Sequence, residues 1–232
     1  MNCVILQPSY IPWRGYFHQI AKADVFVFLD DVQYDKRGWR NRNQIKTPHG
    51  LQWLTIPVHS KGAQTNNVPI NDIRIVWEKE WNREHLETIF HAYKKAPYFE
   101  TFYPMLQEWL APPYELLADL TIETSIQLAR YLGITNTRFL RSSAMPVDGV
   151  KTERLIHLIE KVGADHYISG PSARDYIEES VFRSHGVSLE YMQYDYPPYP
   201  QLYSPFEANV SIIDLIFMTG ENALEYILSE PA

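Results

Sequence analysis

Lys36, Arg37, Arg40 and Arg42 crowd one short stretch of this chain and alternate with Trp39, Asn41 and Asn43. Guanidinium forks grip phosphate bidentately, and side-chain amides suit sugar hydroxyls. Arg40 and Arg42 have the spacing of one strand face, and so do Trp39, Asn41 and Asn43. A plain solvated loop is the competing reading; Trp39 argues against it, because an exposed loop gains little from an indole. Just upstream, the apolar run VFVFL ends in Asp30 and Asp31. Carboxylates at a strand's carboxyl end can hold Mg²⁺ or act as a base. Neighbouring side chains point to opposite faces, so one of the pair enters a site, and the reading selects Asp30 as catalytic, with a turn or cap role as its rival. His18 is the second candidate base, since imidazole titrates near pH 6.5.

Two further loops carry polar side chains. In QPSYIPWRGYFHQ, residues Gln7 and Pro8 open a stiff connection. Tyr10, Trp13 and Tyr16 are candidates to stack on a base or sugar, and Gly15 allows close backbone approach to a ligand at a helix start. In SGPSARDY, Ser169, Gly170, Ser172 and Arg174 make a candidate anion cradle before a helix, with a simple N-cap by Ser172 as the alternative. All of these are substrate-binding candidates for a phosphorylated small molecule.

The elements that would position them alternate. Strands are expected at 3–6, 25–29, 53–58, 70–76, 137–140, 165–168 and 188–194, and helices after the first loop and at 77–95, 99–110, 113–132, 152–162, 177–185 and 211–228. Pro112-Pro113 separates two of these helices. This order predicts an α/β protein with a mainly parallel open sheet, Rossmann-like, in a single domain over 1–232 with a helical insertion at 77–132. The three loops then share the carboxyl edge of the sheet.

Composition narrows the partners. A net charge of −7 makes nucleic acid an unfavourable ligand for the whole chain. Aromatic residues reach 14%, including 16 Tyr and 6 Trp, which suits stacking surfaces as well as core. Cys3 is the single cysteine and cannot close an internal disulfide. No apolar run approaches the roughly 20 residues of a membrane span, and no leader pattern opens the chain, so a cytoplasmic protein is expected. The histidines show no metal-ligand spacing, and Walker, G-x-S-x-G and G-x-G-x-x-G motifs are absent.

The first loop bears a broad resemblance to HUP-class nucleotide-binding enzymes, whose His-x-Gly-His falls here on Trp13, Arg14, Gly15 and Tyr16; the glycine alone matches. LQPSYIPWRGYF, DDVQYDKRGWRNRNQI, WLTIPV, YISGPSARDYI and FEANVSIIDLIF together resemble the WbqC-like protein family over nearly the whole chain. That resemblance implies a setting in bacterial surface-polysaccharide (O-antigen type) biosynthesis and carries over no catalytic residue. The expected function is a transferase, with ATP-dependent acylation of a nucleotide-linked amino sugar as the leading reaction. ATP with Mg²⁺, or an acyl-CoA, would be its cofactor. A nucleotidyltransferase and a non-catalytic nucleotide-sugar or partner-binding module are the alternatives.

Overall fold

The computed structural model describes residues 1–111 and 114–229. The chain begins with β1 (Asn2–Leu6), α1 (Arg14–Lys22) and β2 (Val25–Phe28). An antiparallel hairpin follows, β3 (Arg42–Thr47) and β4 (Gly50–Thr55), and then α2 (Trp81–Tyr93), α3 (Phe99–Leu110) and α4 (Leu117–Tyr131). The alternation resumes with β5 (Arg138–Arg141), α5 (Lys151–Val162), β6 (His166–Ser169), α6 (Glu179–Ser184) and β7 (Ser188–Tyr191), and closes with α7 (Ile212–Thr219) and α8 (Ala223–Leu228).

Five strands form one parallel sheet in the order β5-β2-β1-β6-β7, the open α/β architecture expected. Alternate residues of β1 and β2 supply two cores. Val4, Phe26 and Phe28 face a cluster shared with α1, α2, α3, α4 and α7. Cys3, Ile5, Val25 and Val27 face Ile156 and Ile159 of α5 and Phe182 of α6. Burial on both faces explains why VFVF is an unbroken apolar run.

The structure corrects several expected elements. Residues 70–76 form a tight 3₁₀ turn (Ile70–Asp72) and single bridges from Arg74 and Ile75, not a strand. The basic stretch does not remain a loop, because Arg42 and Asn43 open β3. The strand expected at 188–194 ends at Tyr191. The last helix is broken at Gly220, whose φ is +55° and whose missing Cβ leaves room for the Tyr98 ring. The Pro112-Pro113 break lies outside the described residues. Among the described residues no helix is long and apolar enough to cross a membrane.

Candidate functional site

The sheet order reverses at β1, between β2 on one side and β6 on the other, which marks the crevice where open α/β sheets take ligands. The loops after β1 and β2 meet there. Tyr10 N–H donates to Trp39 O at 3.2 Å, and Arg40 Nη1 donates to Pro8 O at 3.2 Å. Ile11 sits at φ +35°, a conformation that costs a β-branched residue about 1–3 kcal/mol. Its carbonyl accepts Asn43 Nδ2 at 2.8 Å and Ser211 Oγ at 2.7 Å, so β3 and the start of α7 together impose the loop's shape.

Arg40 is half-buried and joins none of the ion pairs among the described residues. Its Nε is shielded from solvent and has no partner. Burial lowers its pKa, against the opposing pull of Tyr16, Asp35 and Tyr34. Arg42 gives Nη2 to Arg37 O at 2.6 Å, lies 4.5 Å over the Trp53 ring and also leaves Nε unpartnered. Both guanidinium groups act on one buried hydroxyl, that of Tyr34. Burial and then Asp35 push its pKa up to about 12, while Arg42 and Arg40 pull it down. Asn41 donates Nδ2 to Ile56 O at 2.8 Å and keeps a shielded, unpartnered Oδ1. Arg40 thus carries a guanidinium that forms no ion pair among the described residues, and Asn41 carries an amide oxygen without a partner. An anionic ligand oxygen matches the fork.

The aromatic residues of the β1 loop are otherwise occupied. Tyr10 is fully buried, its hydroxyl 3.0 Å from His85 Nδ1 and its ring edge-on to Trp81, so it cannot stack on a ligand. Tyr16 is buried against Phe26 and donates to the Gln7 carbonyl at 3.2 Å. A Cβ on Gly15 would stand 2.3 Å from the Trp13 ring. The glycine therefore makes room for that indole rather than for a ligand's approach. Arg14, 4% exposed, lies over Tyr196 at 4.5 Å and Tyr199 at 5.4 Å and donates to Pro197 O at 3.0 Å. His18 meets the Tyr196 hydroxyl through Nδ1 at 2.8 Å, and burial lowers its pKa. The segment after β7 thus covers the outer face of α1.

Asp30 is 0% exposed, and its carboxylate accepts Ser143 N–H at 3.0 Å, Ser143 Oγ at 2.8 Å and Ser142 Oγ at 3.2 Å. Asp31 accepts Ser142 Oγ at 2.5 Å and pairs with Arg154 Nη2 at 2.5 Å. Because β5 lies beside β2, both acids fasten the turn that follows β5. In this arrangement Asp30's oxygens face hydrogen-bond donors of the Ser142–Ser143 turn, and a guanidinium occupies its neighbour. Among the described residues no group of three or more His, Cys, Asp or Glu could hold a metal ion. Asp30→Ala is expected to lower the unfolding free energy by about 2 kcal/mol, the scale of buried hydrogen bonds to a charged acceptor. Urea denaturation measures this, and an unshifted midpoint would contradict the fastening role.

The 169–174 loop differs from the cradle expected. Pro171–Asp175 is a five-residue 3₁₀ turn capped at Gly170, and α6 starts only at Glu179. Ser169 is buried, whereas Ser172 and Arg174 are exposed, Arg174 lying 4.5 Å over Tyr191. Tyr194 links this loop to the first one. It approaches Gly170, accepts Gln19 Nε2 at 2.7 Å and packs on Trp13 at 4.9 Å. All three loops share the carboxyl edge, but Tyr194, in the segment after β7, stands between the third and the first.

Sequence reasoning missed a buried polar network. Asp214 accepts Tyr93, Tyr199 and Gln201, each at 2.8 Å, and Lys46 reaches Gln201 Oε1 at 2.8 Å. The available signal was an acid inside the apolar run IIDLIF. A surface groove of about 390 Å³ lies apart from these loops, between α2 and α3.

The chain is an α/β protein with a parallel sheet, and the loops at its carboxyl edge carry Arg40, a guanidinium that joins none of the ion pairs among the described residues. The family model described as "WbqC-like protein family" matches residues 7–226, and the chain belongs to that family. It is 40% identical over 229 residues, 96% of each chain, to a protein of Mycobacterium tuberculosis (strain ATCC 25618 / H37Rv) named "Uncharacterized protein Rv1507c". No solved structure matches it.

Proposed function

We propose that the protein binds a phosphorylated sugar, with a nucleotide-linked amino sugar as the leading case, and serves surface-polysaccharide biosynthesis as an acylating transferase. The observation that carries the binding half is Arg40, a shielded guanidinium whose one side-chain hydrogen bond is to a backbone carbonyl. A half-buried cation that makes no ion pair and has only Asp35 acting on it from a distance is costly, and a ligand phosphate would offset that cost through paired hydrogen bonds. The family's naming after O-antigen and other surface-polysaccharide genes supports the biosynthetic setting. ATP and acyl-CoA both carry phosphates that suit the same guanidinium groups. A mechanism routed through Mg²⁺ on Asp30 and Asp31 does not fit their engaged oxygens, which weighs against nucleotidyl transfer.

The second reading is a binding module without turnover. It is favoured by the two candidate bases, since Asp30 is saturated and His18 is committed to Tyr196. Titration calorimetry with nucleotide sugars tests the shared binding step. Arg40→Lys, which keeps the charge and loses the fork, is expected to weaken binding by about 1–3 kcal/mol. An affinity equal to wild type would remove Arg40 from the site. Mass spectrometry for an acylated sugar, after incubation with ATP and a carboxylic acid or with acyl-CoA, then separates the two readings.

A further inference from the structure

We infer that Trp39 and Trp53 form an open stacking platform for the sugar ring of the ligand, at the rim of the Arg40–Arg42 anion site; this rests on the binding reading above. The two indoles are among the exposed large hydrophobic side chains described, at 45% and 42%. They come from different elements, the loop after β2 and strand β4, yet their ring centroids stand 5.3 Å apart at an interplanar angle of 32°. A ring between them would need two contacts of about 3.5 Å each, so the pair does not clamp a ligand and instead offers a continuous surface. Arg42, pinned to the Arg37 carbonyl, covers part of Trp53 at 4.5 Å and carries the platform into the cationic site.

The platform has a polar border. The hairpin register sets Gln44 opposite Trp53 and Arg42 opposite Thr55, which puts an amide, a hydroxyl and a guanidinium around the indole. A pyranose has this amphipathic form: its axial C–H bonds make an apolar face that suits an indole, and its equatorial hydroxyls reach outward to border groups. Trp39 O is bonded to Tyr10 N, and Arg40 to Pro8 O, so the aromatic surface and the anion site ride on one loop contact.

Titration calorimetry of UDP-N-acetylglucosamine, UDP-glucose, dTDP-glucose and GDP-mannose, each beside its parent nucleoside diphosphate, tests the assignment. Trp53→Ala is expected to weaken the best nucleotide sugar about tenfold and to leave its parent diphosphate within about twofold, since only the sugar loses its stacking surface. Trp53→Phe should fall between the two, with folding checked by circular dichroism because Trp53 is surface-exposed. Equal losses for sugar nucleotide and diphosphate would assign the platform to the base and overturn the inference, as would unchanged affinity for both. Arg40→Lys in the same series reports on the anion site by itself. If it has no effect while Trp53→Ala does, the phosphate reading fails and the sugar platform survives. If none of the four probes binds, both fall.

Discussion

Replacing Asp214 by Ala is expected to lower the free energy of unfolding by about 3–5 kcal/mol, the scale seen when one member of a buried charged network is removed. The carboxylate sits in α7 and is the common acceptor for Tyr93 at the end of α2 and for Tyr199 and Gln201 beyond β7. Gln201 in turn accepts Lys46 Nζ and the Glu207 amide, and Lys46 also donates to Pro205 O. Burial raises the pKa of Asp214 while these partners oppose the shift. Without the acid, two tyrosine hydroxyls and an amide lose their acceptor inside the protein, each at a desolvation cost. The residues from 199 to 207 would also lose their attachment to α7. Urea titration measures the first effect, and limited proteolysis within 192–210 the second. A loss below about 1 kcal/mol would show that the network is dispensable.

Acid is expected to act through His85. This ring is buried beside Tyr10 and Trp81, and burial lowers its pKa to about 4. The unfolded chain holds the ordinary value near 6.5, so it binds the proton first. The folded state therefore keeps the full benefit of neutral His85 above pH 6.5 and loses it as the pH falls towards 4. The loss amounts to about 2.5 kcal/mol by pH 4.5. Unfolding free energies of wild type and His85→Phe, measured from pH 7.5 to 4.5, isolate the effect, because the variant lacks this titration. Parallel pH profiles for the two proteins would refute the assignment.

Much of this architecture is legible in the residues themselves. VFVF could be a strand buried on both faces, α3 begins and ends where its apolar spacing says, and the alternation of strand and helix forces the loops of interest to one edge. Strand β3 escaped because RNQIKT is poor in β-branched residues; its extended form comes from pairing with β4 and from Asn43 and Lys46 finding buried partners. The 70–76 segment failed in the other direction. INDIRIV alternates like a strand, yet Pro69 and the backbone of residues 30–34 bend it into a turn. Side-chain roles were harder still. Asp30 and Gly15 have the types that chemistry uses, and only the position of β5 and of the Trp13 ring shows what each is for. Arg40 and Trp39 stand out in the sequence because charge and aromaticity in one loop conflict with plain solvation. Trp53 lay in an ordinary strand pattern and gave no such sign.

The bent loop at Ile11 has a consequence for how the protein is made. Its carbonyl is held by two donors, and one of them, Ser211, is 200 residues further along the chain. When a ribosome has released the first strand, the loop and the basic cluster, the donor that helps hold the loop in its bent form has not yet been synthesised. A nascent chain halted before α7 would own nearly every residue that contacts the proposed ligand and still lack the frame that sets them. The full frame of the loop would then arrive late, as translation passes Ser211.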